Sequence, residues 1–443
     1  MDPLALSLVD VSHLLREGRM TSLALTRLCL ERIAALDARL NAFITLTADS
    51  ALREAAEADR MFAEGHYLGP LHGVPVALKD LIDVARVRTT AASRVLAENI
   101  ATEDAPVVAR LRFAGAVILG KLNLHEFAYG GSGVVSAYGP AVNPLYTART
   151  TGGSSSGSAT AVAANLCFAA LGTDTAGSIR IPAACCGLVG FKPTWGAVST
   201  EGVIPLSASY DHVGPIARSV EDARLVFEAI ADDVTPADRK DESSSAQLTI
   251  GVARNYFCDD LDPEIAAAFG ADLAKLESFA RLVDVDIPVD TDRALAASEA
   301  FAFHRHFLAE SAALYDERTL ARIMTGKDVT TEAVSEARAR LREMRAKAHS
   351  IFASIDAVAT PTMPLVPPLV RALGDGEKLR PLELRMLRNT RPFNVLGWPT
   401  IVLPGAPVSE HLPGSLQLSA APGRDRTLLA LAQRAEAALR HPV

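Results

Sequence analysis

Two stretches decide how this chain reads: Gly152-Gly-Ser-Ser-Ser-Gly-Ser-Ala159 and, shortly after, Gly172-Thr-Asp-Thr-Ala-Gly-Ser178. The first closes a long segment, residues 130–158, with Gly130, Gly131, Gly133, Gly139, Gly152, Gly153 and Gly157 set among serines and little periodicity. A loop of that length held between apolar segments reads as functional. Immediately downstream, Ala159–Asn165 is Ala-rich and predicts a short helix, and Leu166–Gly172 predicts a buried strand. The second loop, Thr173 to Ser178, then starts at the end of that strand.

Working outward, the texture alternates. Val74-Pro-Val-Ala-Leu78 is an apolar run ending at Lys79 and predicts a buried strand; Val107–Phe113 predicts a helix and Ala116–Leu119 another strand. Thr21 or Ser22 caps a helix to about Leu36, with Leu25, Leu28, Cys29, Ile33 and Leu36 on one face, and a second helix runs from about Ser50 to Ala63. Downstream, Asp232–Gln247 is polar and Ser-rich and reads as a linker or surface loop. Leu248–Arg254 restarts as a strand and Pro263–Phe279 as a helix. Residues 293–355 are mostly helical and predict a cap. Ala357–Thr360 and Thr400–Leu403 return as strands before a last helix from Arg426. Alternating helices and strands predict a layered α/β fold. No internal repeat is visible.

The bulk numbers fit a folded chain with a sizeable core. The chain has 443 residues, 49% hydrophobic and 22% charged, which allows a large core and excludes wholesale disorder. A net charge of -8 and the lack of a Lys/Arg run argue against nucleic acid as a partner. The start, Met1-Asp-Pro-Leu4, is unlike a signal peptide, and stretches such as Ala159–Leu171 are too short for a membrane span. Five cysteines in irregular spacing, Cys29, Cys167, Cys185, Cys186 and Cys258, imply free thiols and a reducing, cytoplasmic setting.

Several motif matches fail on their own chemistry. Gly115 to Leu122 nearly spells a phosphate loop, but Leu122 stands where a hydroxyl must hold magnesium. His125-Glu126 opens like a zinc-protease helix, but residue 129 is Tyr. His304-Arg-His306 has no partner cluster, so neither a metal nor any other cofactor is expected. Gly153-Ser154-Ser-Ser-Gly157 matches a nucleophile elbow, yet Asn143–Thr151 before it has no strand character and no downstream histidine is distinctive.

Ser178 is the better nucleophile. Thr175-Ala176-Gly177-Ser178 can turn several backbone N–H groups towards one point, as an oxyanion hole requires, and Gly177 permits a tight conformation. A serine nucleophile needs a base. Lys79, ending an apolar strand, qualifies if burial removes its proton, for desolvation lowers a lysine pKa from about 10.4 by up to several units. The alternative is a structural ion pair of Lys79 with Asp80 or Asp83, and spacing alone leaves both readings open.

These segments together resemble the amidase signature family. The resemblance is carried by Gly152–Ala159, Gly172-Thr-Asp-Thr-Ala-Gly-Ser-Ile-Arg-Ile-Pro-Ala183 and Cys186-Gly-Leu-Val-Gly-Phe-Lys-Pro-Thr194. His72–Asp80, Gly120–Ala128, Asp211-His-Val-Gly-Pro215 and Asn394-Val-Leu-Gly-Trp-Pro399 extend it over nearly the whole chain. It implies a Ser–cis-Ser–Lys triad: Ser178 as nucleophile, Ser154 as bridging serine and Lys79 as base. The oxyanion hole would be the backbone of Thr175, Ala176, Gly177 and Ser178, with Ser155 and Thr173 as supporting hydrogen-bond positions. Arg180 would either organise the loop or meet substrate charge. The implied fold is one large α/β/α domain spanning 1–443, around a mixed, mostly parallel sheet, with residues 293–355 as a helical cap.

The sequence departs from the family pattern in places. Ala176 stands where Gly is usual, Thr151 replaces a common Pro, and Arg86 and Ala92 replace common glycines. The implied activity is hydrolysis of small amides, aryl amides, esters or carbamates (urethanes), by a monomer or a homodimer. The alternative is the glutaminase component of a tRNA-dependent amidotransferase. Phe301–Gly326 lacks the stretch expected of that component, and the C-terminal part is short for it. Phe127, Ala128, Tyr129 and Val134 are expected to line the substrate pocket, with residues 301–345 completing it.

Overall fold

The computed structural model describes residues 2–232, 248–374, 376–409 and 412–440. Eleven strands form one sheet: β1 (Phe43–Leu46), β2 (Pro75–Lys79), β3 (Val117–Leu122), β4 (Ala169–Thr173), β5 (Val189–Lys192), β6 (Val213–Ala217), β7 (Leu248–Ala253), β8 (Ala280–Val285), β9 (Ala357–Pro361), β10 (Thr400–Gly405) and β11 (Gly414–Ser419). Their order across the sheet is β1-β3-β2-β4-β6-β5-β10-β11-β9-β7-β8. Every residue of β2, β3, β4, β5, β6 and β9 is buried, so both faces of the sheet centre are covered. Such strands read as continuous apolar runs rather than alternating ones, which is why β2 and β4 are visible in the sequence.

The sheet is mixed, as expected, but it is not mostly parallel. Parallel pairing is confined to two blocks, β3-β2-β4 and β9-β7-β8. The pairs β1-β3, β4-β6, β6-β5, β5-β10, β10-β11 and β11-β9 are antiparallel. The reason lies in the connections. No helix intervenes between β5 and β6 or between β10 and β11, and strands joined without a crossover pair antiparallel.

Helices cover the sheet close to where the pattern puts them. Thr21 caps Ser22–Leu40, its side chain accepting from the Ala24 N–H. Ala48–Ala63, Pro106–Phe113, Ser156–Ala163, Pro263–Leu276 and Asp425–Arg440 follow. The 293–355 region is helical at Ala294–Ser311, Glu317–Met324 and Thr331–Ala348. Its apolar residues Phe301, Phe303, Phe307 and Ile323 pack with Phe127, Leu124 and Leu81, next to the loops that follow β2 and β3. Of the expected linker 232–247, residues 233–247 lie outside the described residues. All five cysteines are free, and all but Cys258 are buried. Among the described residues no helix is long and apolar enough to cross a membrane.

Parallel pairing of β2 with β4 places their carboxyl ends side by side. Ligand sites in α/β sheets favour that edge. Lys79 ends β2 and Thr173 ends β4.

Candidate active site

Lys79 is fully buried, and its Nζ donates to Ser154 Oγ at 2.7 Å and to Thr173 Oγ1 at 2.8 Å. Burial lowers its pKa to about 7, against the opposing pull of Asp174 and Asp211. A lysine held among hydroxyls in a desolvated setting loses its proton readily. The ion-pair alternative does not hold. Asp80 takes Lys121 as its partner at 2.9 Å and accepts from the Thr90 N–H and hydroxyl. Asp83 faces Thr89 and Lys121.

Ser154 arrives from the glycine-rich loop, across a cis Gly153–Ser154 peptide bond. The Ser154 carbonyl accepts from His125 N–H. Ser155 fastens this loop to both neighbours: its N–H donates to the Ser178 carbonyl at 3.2 Å, and its hydroxyl exchanges 3.3 Å hydrogen bonds with the Thr173 backbone. Sequence-distant Lys79, Ser154, Ser155, Thr173 and Ser178 are thus brought into one cluster.

The 173–178 loop is built around Asp174, which is buried. Its carboxylate accepts from Gly177 N–H (2.7 Å), Ile179 N–H (3.1 Å), Arg180 Nε and Nη2 (3.0 Å each) and Asn394 Nδ2 (2.8 Å). Burial opposes ionisation, but Arg180, Asn394 and Lys192 together hold the carboxyl below its usual range. Arg180 has its remaining donors on Thr390 O, Gln417 Oε1 and Asn394 Oδ1. It ties the loop together and has no exposed surface. Gly177 has φ +137°, and a Cβ there would sit 2.2 Å from Thr390 Oγ1, so glycine is required.

Gly177 leaves the expected oxyanion set, because its N–H is already committed to Asp174. Among the described residues the N–H groups of Thr175, Ala176 and Ser178 meet no protein acceptor. These same three residues line a cavity of about 60 Å³, open at its mouth, together with Ala128, Tyr129, Leu206, Tyr210 and others. A second cavity of about 200 Å³ shares Ala128, Thr175 and Leu206 with it and reaches Thr173, Asp211 and His212.

The pocket expectations divide. Ala128 and Tyr129 line the cavity at Ser178, but Phe127 and Val134 do not. Phe127, at φ +49°, sets its ring edge-on to His304 (4.4 Å between centroids) and tilted against Tyr315 (5.4 Å). Val134 packs beside Leu373 and Leu379. Residues 301–345 do not line this cavity either: apolar side chains up to Ile323 pack in the Phe127 cluster, and Val334, Ala337, Leu341 and Met344 pack with Tyr210, Leu295 and Val395. Arg293, Ala296, Arg380, Leu387 and Arg391 line it instead. Arg86 and Ala92 adopt φ of 65° and 54°, so the glycines usual there answer a backbone requirement.

The family described as Amidase matches residues 24–429. The chain belongs to the amidase family. Members of that family hydrolyse amides, a carbon–nitrogen bond cleavage. The glutamyl-tRNA(Gln) amidotransferase A subunit of Moorella thermoacetica is 38% identical over 464 aligned residues, covering 95% of this chain and 94% of its own. The 2-amino-5-chloromuconic acid deaminase of Comamonas testosteroni is 33% identical, over 99% of this chain and 97% of its own. The crystal structure of peptide amidase from Stenotrophomonas maltophilia superposes with a TM-score of 0.82 at 31% identity, covering 99% of this chain and 98% of that one.

In this amidase-family chain two groups beside the cluster escaped the sequence reading. Asp211 is buried and accepts from Thr175 Oγ1 and from the Leu206 and Ser207 N–H groups; burial raises its pKa to about 6. His125 lies buried in a network with Glu383, Ser132 and Arg322, and burial with the nearby arginines holds it neutral. Glu383 is 251 residues from Ser132, and no local pattern signals that meeting.

Proposed function

We propose that the protein is an amide hydrolase working through a serine acyl-enzyme, with Ser178 as nucleophile, Ser154 as relay and Lys79 as base. The observation that carries this reading is a fully buried lysine, with a pKa lowered to about 7, in hydrogen-bond contact with Ser154. Neutral Lys79 takes a proton from Ser154 as Ser154 takes one from Ser178, and Ser178 Oγ attacks the carbonyl carbon. The developing oxyanion is met by the Thr175, Ala176 and Ser178 amides, donors typically worth a few kcal/mol each in the barrier. Lys79 then returns the proton through Ser154 to the leaving amine. Water attacks the acyl-enzyme with the same relay as base and releases the acid. No metal or cofactor takes part.

The enclosed space at Ser178 is small, about 60 Å³, and opens towards the surface. We assign small amides, aryl amides or carbamates as substrates, with esters as further acyl donors. A fluorophosphonate probe followed by peptide mass spectrometry tests the nucleophile. Labelling at Ser178, and loss of anilide hydrolysis in Ser178→Ala, are expected. Labelling elsewhere, or unchanged activity in that variant, would overturn the assignment.

The 38% identity to the amidotransferase relative favours a second reading, a glutaminase delivering ammonia to a partner. Glutaminase assays with co-purification judge it. A lone monodisperse protein that cleaves anilides and leaves glutamine intact refutes it.

A further inference from the structure

Three arginines, Arg293, Arg380 and Arg391, line the cavity at Ser178, and no carboxylate does. Among the described residues none of the three is hydrogen-bonded to a carboxylate, although Asp290 and Asp292 act on Arg391 from a distance. Arg391 donates to the backbone carbonyls of Asp290 and Asp292, which fix its guanidinium without cancelling its charge. The carboxylates of those two residues turn to Arg340 instead. Arg380 stands 3.8 Å from Glu383, but that carboxylate is already held by Arg322 at 2.7 Å and by the Ser132 hydroxyl at 2.6 Å. Arg293 has neither a side-chain hydrogen bond nor an ion pair among the described residues. Burial, Arg391 and Arg380 pull its pKa down to about 10, so it remains charged at neutral pH.

Gathering like charges in a half-buried cavity is unfavourable unless an anion joins them. A planar guanidinium matches a carboxylate in two parallel hydrogen bonds, which sets orientation as well as attraction. Arg293 and Arg391 also line an adjoining outer cavity with Arg385 and Arg388, where two carboxylates are present, Asp260 paired to Arg385 and Asp290 to Arg340. The basic lining therefore continues from the surface towards Ser178, the arrangement that steers an anion inwards.

We propose that the substrate carries a carboxylate in addition to its scissile amide, and that Arg293, with Arg380 and Arg391, holds that carboxylate. The inference rests on the hydrolase reading for the position of the scissile bond. The arginines would select substrates by charge, leaving the chemistry to the Ser178 cluster.

The test compares two anilides of the same carbon-chain length, the mono-4-nitroanilide of succinic acid and the 4-nitroanilide of butyric acid. The anionic compound is expected to have at least about tenfold higher kcat/KM, a preference that weakens with added salt. In Arg293→Gln the ratio of the two kcat/KM values should fall about tenfold, through KM, and Arg293→Lys should restore part of it. Equal kcat/KM for the pair, or a ratio unchanged in Arg293→Gln, overturns the proposal. Calorimetric binding of succinamate and butyramide to the Ser178→Ala protein separates the two readings. Tighter binding of succinamate supports the carboxylate site whatever the nucleophile, and equal binding overturns it. Residual hydrolysis by Ser178→Ala would count against the catalytic assignment alone.

Discussion

The proposed base makes a prediction in pH that other readings of Lys79 do not. Burial takes its pKa from 10.5 to about 7. At 1.4 kcal/mol per unit, that shift is roughly 5 kcal/mol of bias towards the neutral amine. Hydrolysis of a neutral anilide should therefore rise with pH along a limb with its midpoint near 7. At pH 5 about one enzyme in a hundred carries neutral Lys79, so kcat/KM should lie about a hundredfold below the plateau. A midpoint at or below 5, or at or above 9, would refute the reasoning.

The same shift acts on stability. The unfolded chain binds more protons than the folded one between about pH 7 and 10.5, so stability rises with pH across that window and is flat below it, where both states are protonated. Lys79→Met abolishes the activity limb and removes this dependence. It also strands the hydroxyls of Ser154 and Thr173, at about 1–3 kcal/mol each if they find no other partner. The variant should remain folded at pH 6 in urea titrations. Cooperative unfolding lost at that pH would instead mark Lys79 as a structural residue.

Three further outcomes follow from the loop geometry. Asp174→Ala leaves Arg180 buried without its counter-charge, and urea denaturation should show a loss of about 3–5 kcal/mol; a loss under about 1 kcal/mol would deny Asp174 its place at the centre of the loop. Gly177→Ala drives a methyl onto Thr390 at positive φ, so kcat/KM should drop at least about tenfold with about 1–3 kcal/mol of strain, read by activity and melting together. Ala176→Gly removes the methyl that borders Ser178 and should shift kcat/KM by about tenfold in favour of bulkier acyl groups, measured over a series of anilides.

How much of this was legible in the sequence follows from what local pattern encodes. β2 and β4 showed as unbroken apolar runs because both faces of the sheet centre are covered, and Ser178 stood out on its Gly-containing loop, whereas the roles of Ser154 and Lys79 came only through the family resemblance. Strand direction did not show. It depends on whether a helix crosses between neighbours in space, and β6 lies beside β4 and β5 in an order no pattern states. Gly177 was rightly placed on the loop but given the wrong hydrogen bond, because Asp174 captures its N–H. Phe127 was misplaced by a single positive φ. Arg293, Arg380 and Arg391 lie on separate elements, and only the fold brings them to one cavity.

The last distinction concerns three fully buried lysines, Lys79, Lys121 and Lys192. Burial lowers the pKa of each, so a lowered value alone cannot select a base. Their partners differ. Lys121 is tied to the Asp80 carboxylate at 2.9 Å, which favours its charged form. Lys192 donates to the carbonyls of Trp398 and Pro193, oxygens that have no proton to give, and its third contact is His212, which burial and Lys192 itself keep neutral. Lys79 alone faces two hydroxyls, Ser154 and Thr173, each able to reverse its role and donate once the amine is neutral. A base must sit against groups that can surrender a proton. Lys121 also meets a hydroxyl, Thr89 Oγ1 at 2.8 Å, but the Asp80 carboxylate bonded to it favours its charged form; of the three, Lys79 alone meets hydroxyls with no carboxylate bonded to it, beside the loop that carries Ser178.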